Sequence, residues 1–151
     1  MSLWLFSSRD IENIEAAKKR LLWGFWDREI GEKQRRNWRA FIRIFNKIKP
    51  FDVIVFQIAK TGEIHAIGIV KGTFYDDQTP VWPTEKDKVL FPWRVSFSSM
   101  LFSEEPFITH FIKIEGYIDG YGIGELLEHD LRMILEKVKE KTNVELNISV
   151  I

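Results

Sequence analysis

Tryptophan is the residue type in this chain that most needs a chemical explanation. The 151 residues include 6 Trp, 12 Phe and 3 Tyr, an aromatic share of 14%. An indole is costly to bury unless its N–H finds an acceptor, and an open aromatic face is the surface on which a nucleobase stacks. Three of the tryptophans stand out by position. Trp23 and Trp26 share the run Leu22-Trp23-Gly24-Phe25-Trp26-Asp27, which is too aromatic for an ordinary loop. Trp82 lies between Val81 and Pro83 in a polar, proline-punctuated stretch, a poor place for a core residue. Trp4, Trp38 and Trp93 occupy periodic positions and read as core.

A second constellation is electrostatic. Arg35, Arg39, Arg43 and Lys47 recur every fourth residue, Arg36 stands beside them, and no acidic residue occurs between Lys33 and Pro50. On a helix such a row is either a solvated face or a track for phosphates. The chain as a whole balances 22 basic against 22 acidic residues. Electrostatics alone would therefore not hold a nucleic acid, and any such partner must rely on a local patch or a base pocket. We expect Arg35, Arg36, Arg39 and Arg43 to serve as backbone contacts.

Other chemistries find no footing. His65, His110 and His129 are far apart and lack metal-ligand spacing, so no metal is expected, and no cofactor. Asp76-Asp77 reads as a turn rather than a metal pair. There is no G-x-S-x-G, no P-loop and no carboxylate two residues before a lysine, as a restriction-type nuclease needs. The expectation is a protein that is not an enzyme. With no Cys, disulfides and thiolate zinc sites are excluded, which suits an intracellular setting. Residues 1–6 carry no basic leader, and no stretch approaches the ~20 apolar residues of a membrane span. A soluble, cytoplasmic location is the expectation.

The elements that must position these residues read as follows. Leu3 to Phe6 is a short strand, and Asp10 caps a helix with apolar Ile11, Ile14, Ala17 and Leu21. Gln34 to Lys49 is a helix whose stripe is Trp38, Phe41, Ile42, Phe45 and Ile48. Asp52 to Ala59 is a strand apolar on both faces, residues 60–63 a hairpin turn, and Ile64 to Thr73 the returning strand with Gly68 and Gly72 as bends or bulges. Residues 75–83 form a loop, and Val89 to Phe97 and Phe107 to Ile114 two more strands. Glycines 116, 120, 122 and 124 read as a flexible link to a helix over Glu125 to Lys141, and Val144 to Ile151 as a last strand. No repeat or linker divides residues 1–151, which read as one α+β domain, a β-barrel flanked by helices.

In this order the segments resemble the EVE family. Leu22-Trp23-Gly24-Phe25, Ile48-Lys49-Pro50-Phe51-Asp52 entering a strand, Phe74-Tyr75-Asp76-Asp77 and Phe91-Pro92-Trp93-Arg94-Val95 are similar to EVE segments, with Phe51 where that family usually has Gly. The related YTH domains, readers of methylated adenine in RNA, show a parallel order. The resemblance covers most of residues 3–125 and implies a PUA-like mixed barrel. It also implies a base pocket in which Ser8 and Asn13 meet the base edge. Trp23 or Trp26 is then the first cage residue, and Val81-Trp82-Pro83 supplies the second. One departure is Tyr121-Gly122-Ile123-Gly124, where YTH domains carry an "SRDG"-like phosphate contact. The function implied is a non-catalytic reader of a modified, methylated base in DNA or RNA. Two others remain open: a PUA-like RNA-binding domain indifferent to modification, and a small-molecule or nucleotide sensor.

Overall fold

The computed structural model describes residues 1–26, 32–109, 114–118 and 121–142, with only the backbone described for residues 32–36, 114 and 115. The chain runs through β1 (Leu3–Ser8), α1 (Ile11–Arg20), β2 (Leu22–Phe25), α2 (Glu32–Phe45), β3 (Val53–Ile58) and β4 (Ile64–Tyr75). It continues through β5 (Trp93–Phe102), β6 (Ile114–Ile118), β7 (Ile123–Leu126) and α3 (Glu128–Thr142). All strands join one mixed sheet in the order β2-β5-β4-β3-β1-β7-β6. Only β1 and β3 pair in parallel; the other neighbours are antiparallel. The fold is α+β as expected. The expected barrel, however, is an open sheet among the described residues, because its end strands β2 and β6 do not pair.

The central strands are apolar on both faces because both faces are covered. In β1, Leu3 and Leu5 point to one side and Trp4 and Phe6 to the other; in β3, Val53 and Val55 oppose Ile54 and Phe56 in the same way. One side packs against α3 through Leu131, Ile134 and Val138. The other receives α1 (Ile14, Ala17) and α2 (Phe41, Phe45), and this larger, aromatic layer also contains Trp23 and Trp82. Trp4 solves its indole problem by donating to Asp52 Oδ2 at 3.0 Å, while Asp52 also accepts from the backbone N–H groups of Ser2 and Lys49. Phe51, just before it, has φ +74°, the left-handed region that favours glycine, and its ring is exposed. A non-glycine residue in that region is strained, so a glycine at this position would fit the backbone more easily.

Several boundaries differ from the sequence expectation. The aromatic run at 22–25 is a strand hydrogen-bonded to β5. The strand expected over 89–97 is shifted to Trp93–Phe102, since residues 89–92 belong to a long loop. Of the strand expected at 107–114, Ile108 makes an isolated bridge with Ile64 and Ile114 begins β6, while residues 110–113 lie outside the described residues. The glycine-rich link is instead the β6–β7 hairpin. Within it Gly122 serves close approach: with φ +65°, a Cβ there would lie 2.9 Å from the Ser7 carbonyl oxygen of β1, whereas at Gly116 a Cβ would meet nothing within 4 Å. Gly68 is no bulge either; a Cβ there would stand 2.7 Å from the Phe97 ring. The strand expected over 144–151 lies outside the described residues, as does His110.

Candidate nucleobase pocket

Five segments close around one cavity of about 470 Å³, one of them Ala59 and Lys60 after β3. The end of β1 and the start of α1 contribute Ser7, Ser8 and Asn13; β2 contributes Trp23 and, at its exit, Trp26; the loop between β4 and β5 contributes Trp82 and Phe91; the β6–β7 hairpin contributes Tyr121. Every expected base-binding residue, Ser8, Asn13, Trp23, Trp26 and Trp82, therefore lines the same hollow. The volume falls in the range of small-ligand sites, roughly 300–1,000 Å³.

The rings form a corner rather than a slot. Trp23 and Trp82 meet edge to face, with centroids 6.0 Å apart and planes at 79°. Trp82 and Phe91 are likewise perpendicular, and Trp26 sits on Phe91 at 4.6 Å. A base cannot slide between Trp23 and Trp82 as they stand, so a sandwich between those two is not the geometry. A planar ligand would stack on one indole and abut the other. Trp23 and Trp82 are buried, whereas Trp26 is half-buried. Gly24 lets the layers meet: a Cβ there would lie 2.7 Å from both Trp82 and Phe91.

The polar edge is more restricted than residue types suggest. Ser8 Oγ donates to Asp10 O at 2.6 Å and accepts from Asp10 N at 3.3 Å, so its proton is committed to the turn before α1. Asp10 caps α1 by accepting from Asn13 N at 3.1 Å. The Asn13 carboxamide has no hydrogen-bond partner among the described residues. Ser7, which the sequence did not single out, accepts a 2.8 Å bond from Gln57 Nε2 and keeps its own hydroxyl proton to donate.

Trp82 stands on a buried ionic scaffold, also unforeseen. Glu85 Oε1 accepts from the N–H groups of Val81 (2.9 Å) and Trp82 (3.2 Å), and Oε2 from those of Leu90 (2.7 Å) and Phe91 (2.9 Å). Its counter-charge is Arg94, fully buried in β5, with Nη2 3.7 Å from Glu85 Oε1 and the guanidinium carbon 5.3 Å from the Trp82 ring centroid. Arg94 also donates to Phe91 O, Thr79 O and Asp76 Oδ2. Asp76 holds the loop's first turn, and its carboxyl lies below the ordinary 3.8, chiefly because the Gln78 backbone N–H donates to it, with Arg94 a smaller cause. The Asp76-Asp77 pair is thus a turn. Arg39 and Arg43 of the basic row are exposed and do not line the pocket, and the side chains of Arg35 and Arg36 lie outside the described residues.

No family model matches the sequence. Among solved structures, that of the YTH domain-containing protein mmi1 and RNA is similar over 95% of this chain and 87% of that chain, with a TM-score of 0.57 and 11% identity. The Toxoplasma CPSF4 YTH domain in complex with a 7 mer m6A-modified RNA covers 80% of this chain and 74% of its own at a TM-score of 0.48 and 14% identity. The likeness to mmi1 shows a common fold. Among curated proteins, the uncharacterised protein MJ1369 of Methanocaldococcus jannaschii is 62% identical over 143 residues, 93% of this chain and 92% of that protein. At that identity and coverage, the chain belongs to the MJ1369 family.

Proposed function

We propose that the chain is a non-catalytic, EVE-like module that takes a single base of a nucleic acid, marked by a methyl group, into the aromatic pocket. One observation carries the reading: Trp23, Trp26, Trp82, Asn13 and Ser8, from separate segments, line one cavity of about 470 Å³. The fold shared with an RNA-bound YTH protein supports it. The base stacks on one indole, which is worth about 1–3 kcal/mol for any base. Discrimination then falls to the edge and to the substituent. Asn13 offers an amide with both donor and acceptor, Ser7 a hydroxyl donor, and Ser8 a remaining lone pair. The perpendicular second indole gives a methyl group an apolar wall.

The test is equilibrium binding of matched single-stranded oligonucleotides, methylated and unmodified, in both RNA and DNA. Burying one methyl is worth about 0.8 kcal/mol, roughly a fourfold preference for the methylated strand. Equal affinity for both would leave a binder indifferent to modification. Binding of a free nucleotide without binding of any oligonucleotide would make the pocket a small-molecule site.

A further inference from the structure

The pocket has a mouth, and its two sides differ in charge. β1 and β3 are parallel neighbours with Ser8 opposite Ile58, and Ala59 N donates to Ser8 O at 2.8 Å. Both segments therefore leave the sheet at the same end. The residues that follow are Arg9 after β1 and Lys60 after β3; both line the pocket and both are exposed. Neither makes an ion pair or a side-chain hydrogen bond with any described residue. Arg94 in the loop scaffold, Lys18 on Met100 O and Lys141 on Pro106 O are engaged elsewhere, and among the described residues no cation besides Arg9 and Lys60 lines the pocket. Among the described residues, the one acid on the pocket lining, Asp10, is turned to its helix cap.

The far side of Trp26 is the opposite. There a second hollow of about 670 Å³ is lined by Asp77 and Asp87, with Lys88 its only cation among the described residues. Among the described residues, a polyanion entering the base pocket meets two cations without a partner on one side and two carboxylates against one lysine on the other. Arg39 and Arg43 lie on neither lining.

We infer that Arg9 and Lys60 form a clamp for the phosphates flanking the bound base, so that the strand runs over the ends of β1 and β3 and not over α2. This rests on the base-in-pocket reading. The ligand chemistry is a phosphate ester adjoining the base, and Arg9 supplies the planar fork that grips two of its oxygens while Lys60 supplies a point charge. The clamp stands apart from the segment of Tyr121-Gly122-Ile123-Gly124, which has no cation to offer.

The experiment uses the full chain with Arg9→Ala, Lys60→Ala, the double variant, and Arg39→Ala with Arg43→Ala as the comparison. Probes are N6-methyladenosine and 5-methylcytidine, each as the nucleoside, as the 5′-monophosphate, and within a short single-stranded oligonucleotide. The clamp requires unchanged nucleoside affinity in the Arg9 and Lys60 variants, with monophosphate affinity lowered several-fold in at least one. The slope of log affinity against log salt for the oligonucleotide should fall by about 0.7 for each cation removed, while the α2 variants keep the full slope. Arg9→Lys should restore most of it. If the slope is unchanged while the nucleoside still binds, the clamp is wrong and the pocket stands. If the α2 variants lower the slope instead, the strand runs over α2. Loss of nucleoside affinity in Arg9→Ala would make Arg9 a pocket residue, and failure of every probe on the wild type would end both readings. Variants with unaltered circular dichroism are compared, which exposed side chains should allow.

Discussion

At the scale of single residues, Trp82 combines two roles that substitution can separate. It is buried against Trp23, Phe91 and the Arg94 guanidinium, yet its indole N–H has no hydrogen-bond partner among the described residues. Trp82→Ala removes both packing and stacking, so about 3–5 kcal/mol of stability should go with the binding. Trp82→Phe is the sharper variant. It discards the unsatisfied donor, which offsets part of the lost packing by about 1–3 kcal/mol, while shrinking the stacking face. We expect near-normal thermal stability with a severalfold loss of affinity for methylated and unmodified oligonucleotides alike. A large fall in melting temperature with unchanged affinity would make Trp82 a core residue only. The sequence exposed this residue because a tryptophan in a polar loop is anomalous. It concealed Ser7 and Gln57, because a serine and a glutamine on strands look the same whether they face solvent or one another.

At the scale of elements, the loop between β4 and β5 is tied together from within, and for an electrostatic reason. Glu85 gathers four backbone N–H groups and the Arg94 charge into a site with no exposed side-chain surface. Glu85→Gln keeps the shape but halves the acceptors, and turns an amide donor toward backbone N–H groups. It also leaves Arg94 buried without that counter-charge. The cost should be about 3–5 kcal/mol, with a red shift of tryptophan emission as Trp82 loosens. A thermal unfolding curve superimposable on wild type would show that the pair does not hold the loop. The same emission followed into acid reports Asp76. Its folded carboxyl is below the ordinary value, so its contribution is complete above that value and is lost as pH falls below it. Asp76→Asn should remove that share of the acid sensitivity. This scaffold was illegible in the sequence: Glu85, in Glu85-Lys86-Asp87-Lys88, reads as a solvated charge run, and only the fold carries it to Arg94. The late start of β5 has the same origin, since Leu90 and Phe91 donate their N–H groups to Glu85.

At the scale of the whole molecule, the two-sided sheet divides the structure into a layer that lines the pocket and a layer that does not. The continuous apolar run of β3 made both of its faces legible as buried, and the apolar stripes of α1 and α2 are the faces that cover one side. Gly72 does stand at a register shift of β4, as expected, but Gly122 misled, because a glycine that lets two backbones touch and a glycine that frees a linker are the same letter. Gly122 against Ser7 shows which it is, and it brings Tyr121 to the pocket wall. Zero net charge likewise hid the separation of Arg9 and Lys60 from Asp77 and Asp87 across Trp26. The division of layers yields a prediction about coupling. A ligand that binds only the folded state stabilises it by about 2.7 kcal/mol at a hundredfold excess over Kd, which slows global opening everywhere. Local opening is another matter: it should slow only where contacts are made. Amide hydrogen exchange with saturating methylated oligonucleotide should therefore show added protection at the start of α1, in β2, in the loop holding Trp82 and Glu85, and around Tyr121. The α3 amides near Ile134 and Val138, which pack on the opposite face with Leu3 and Leu5, should gain only the global share. Protection rising first and most in α3 would mean that the ligand seats on the other face of the sheet, and that the aromatic corner is core.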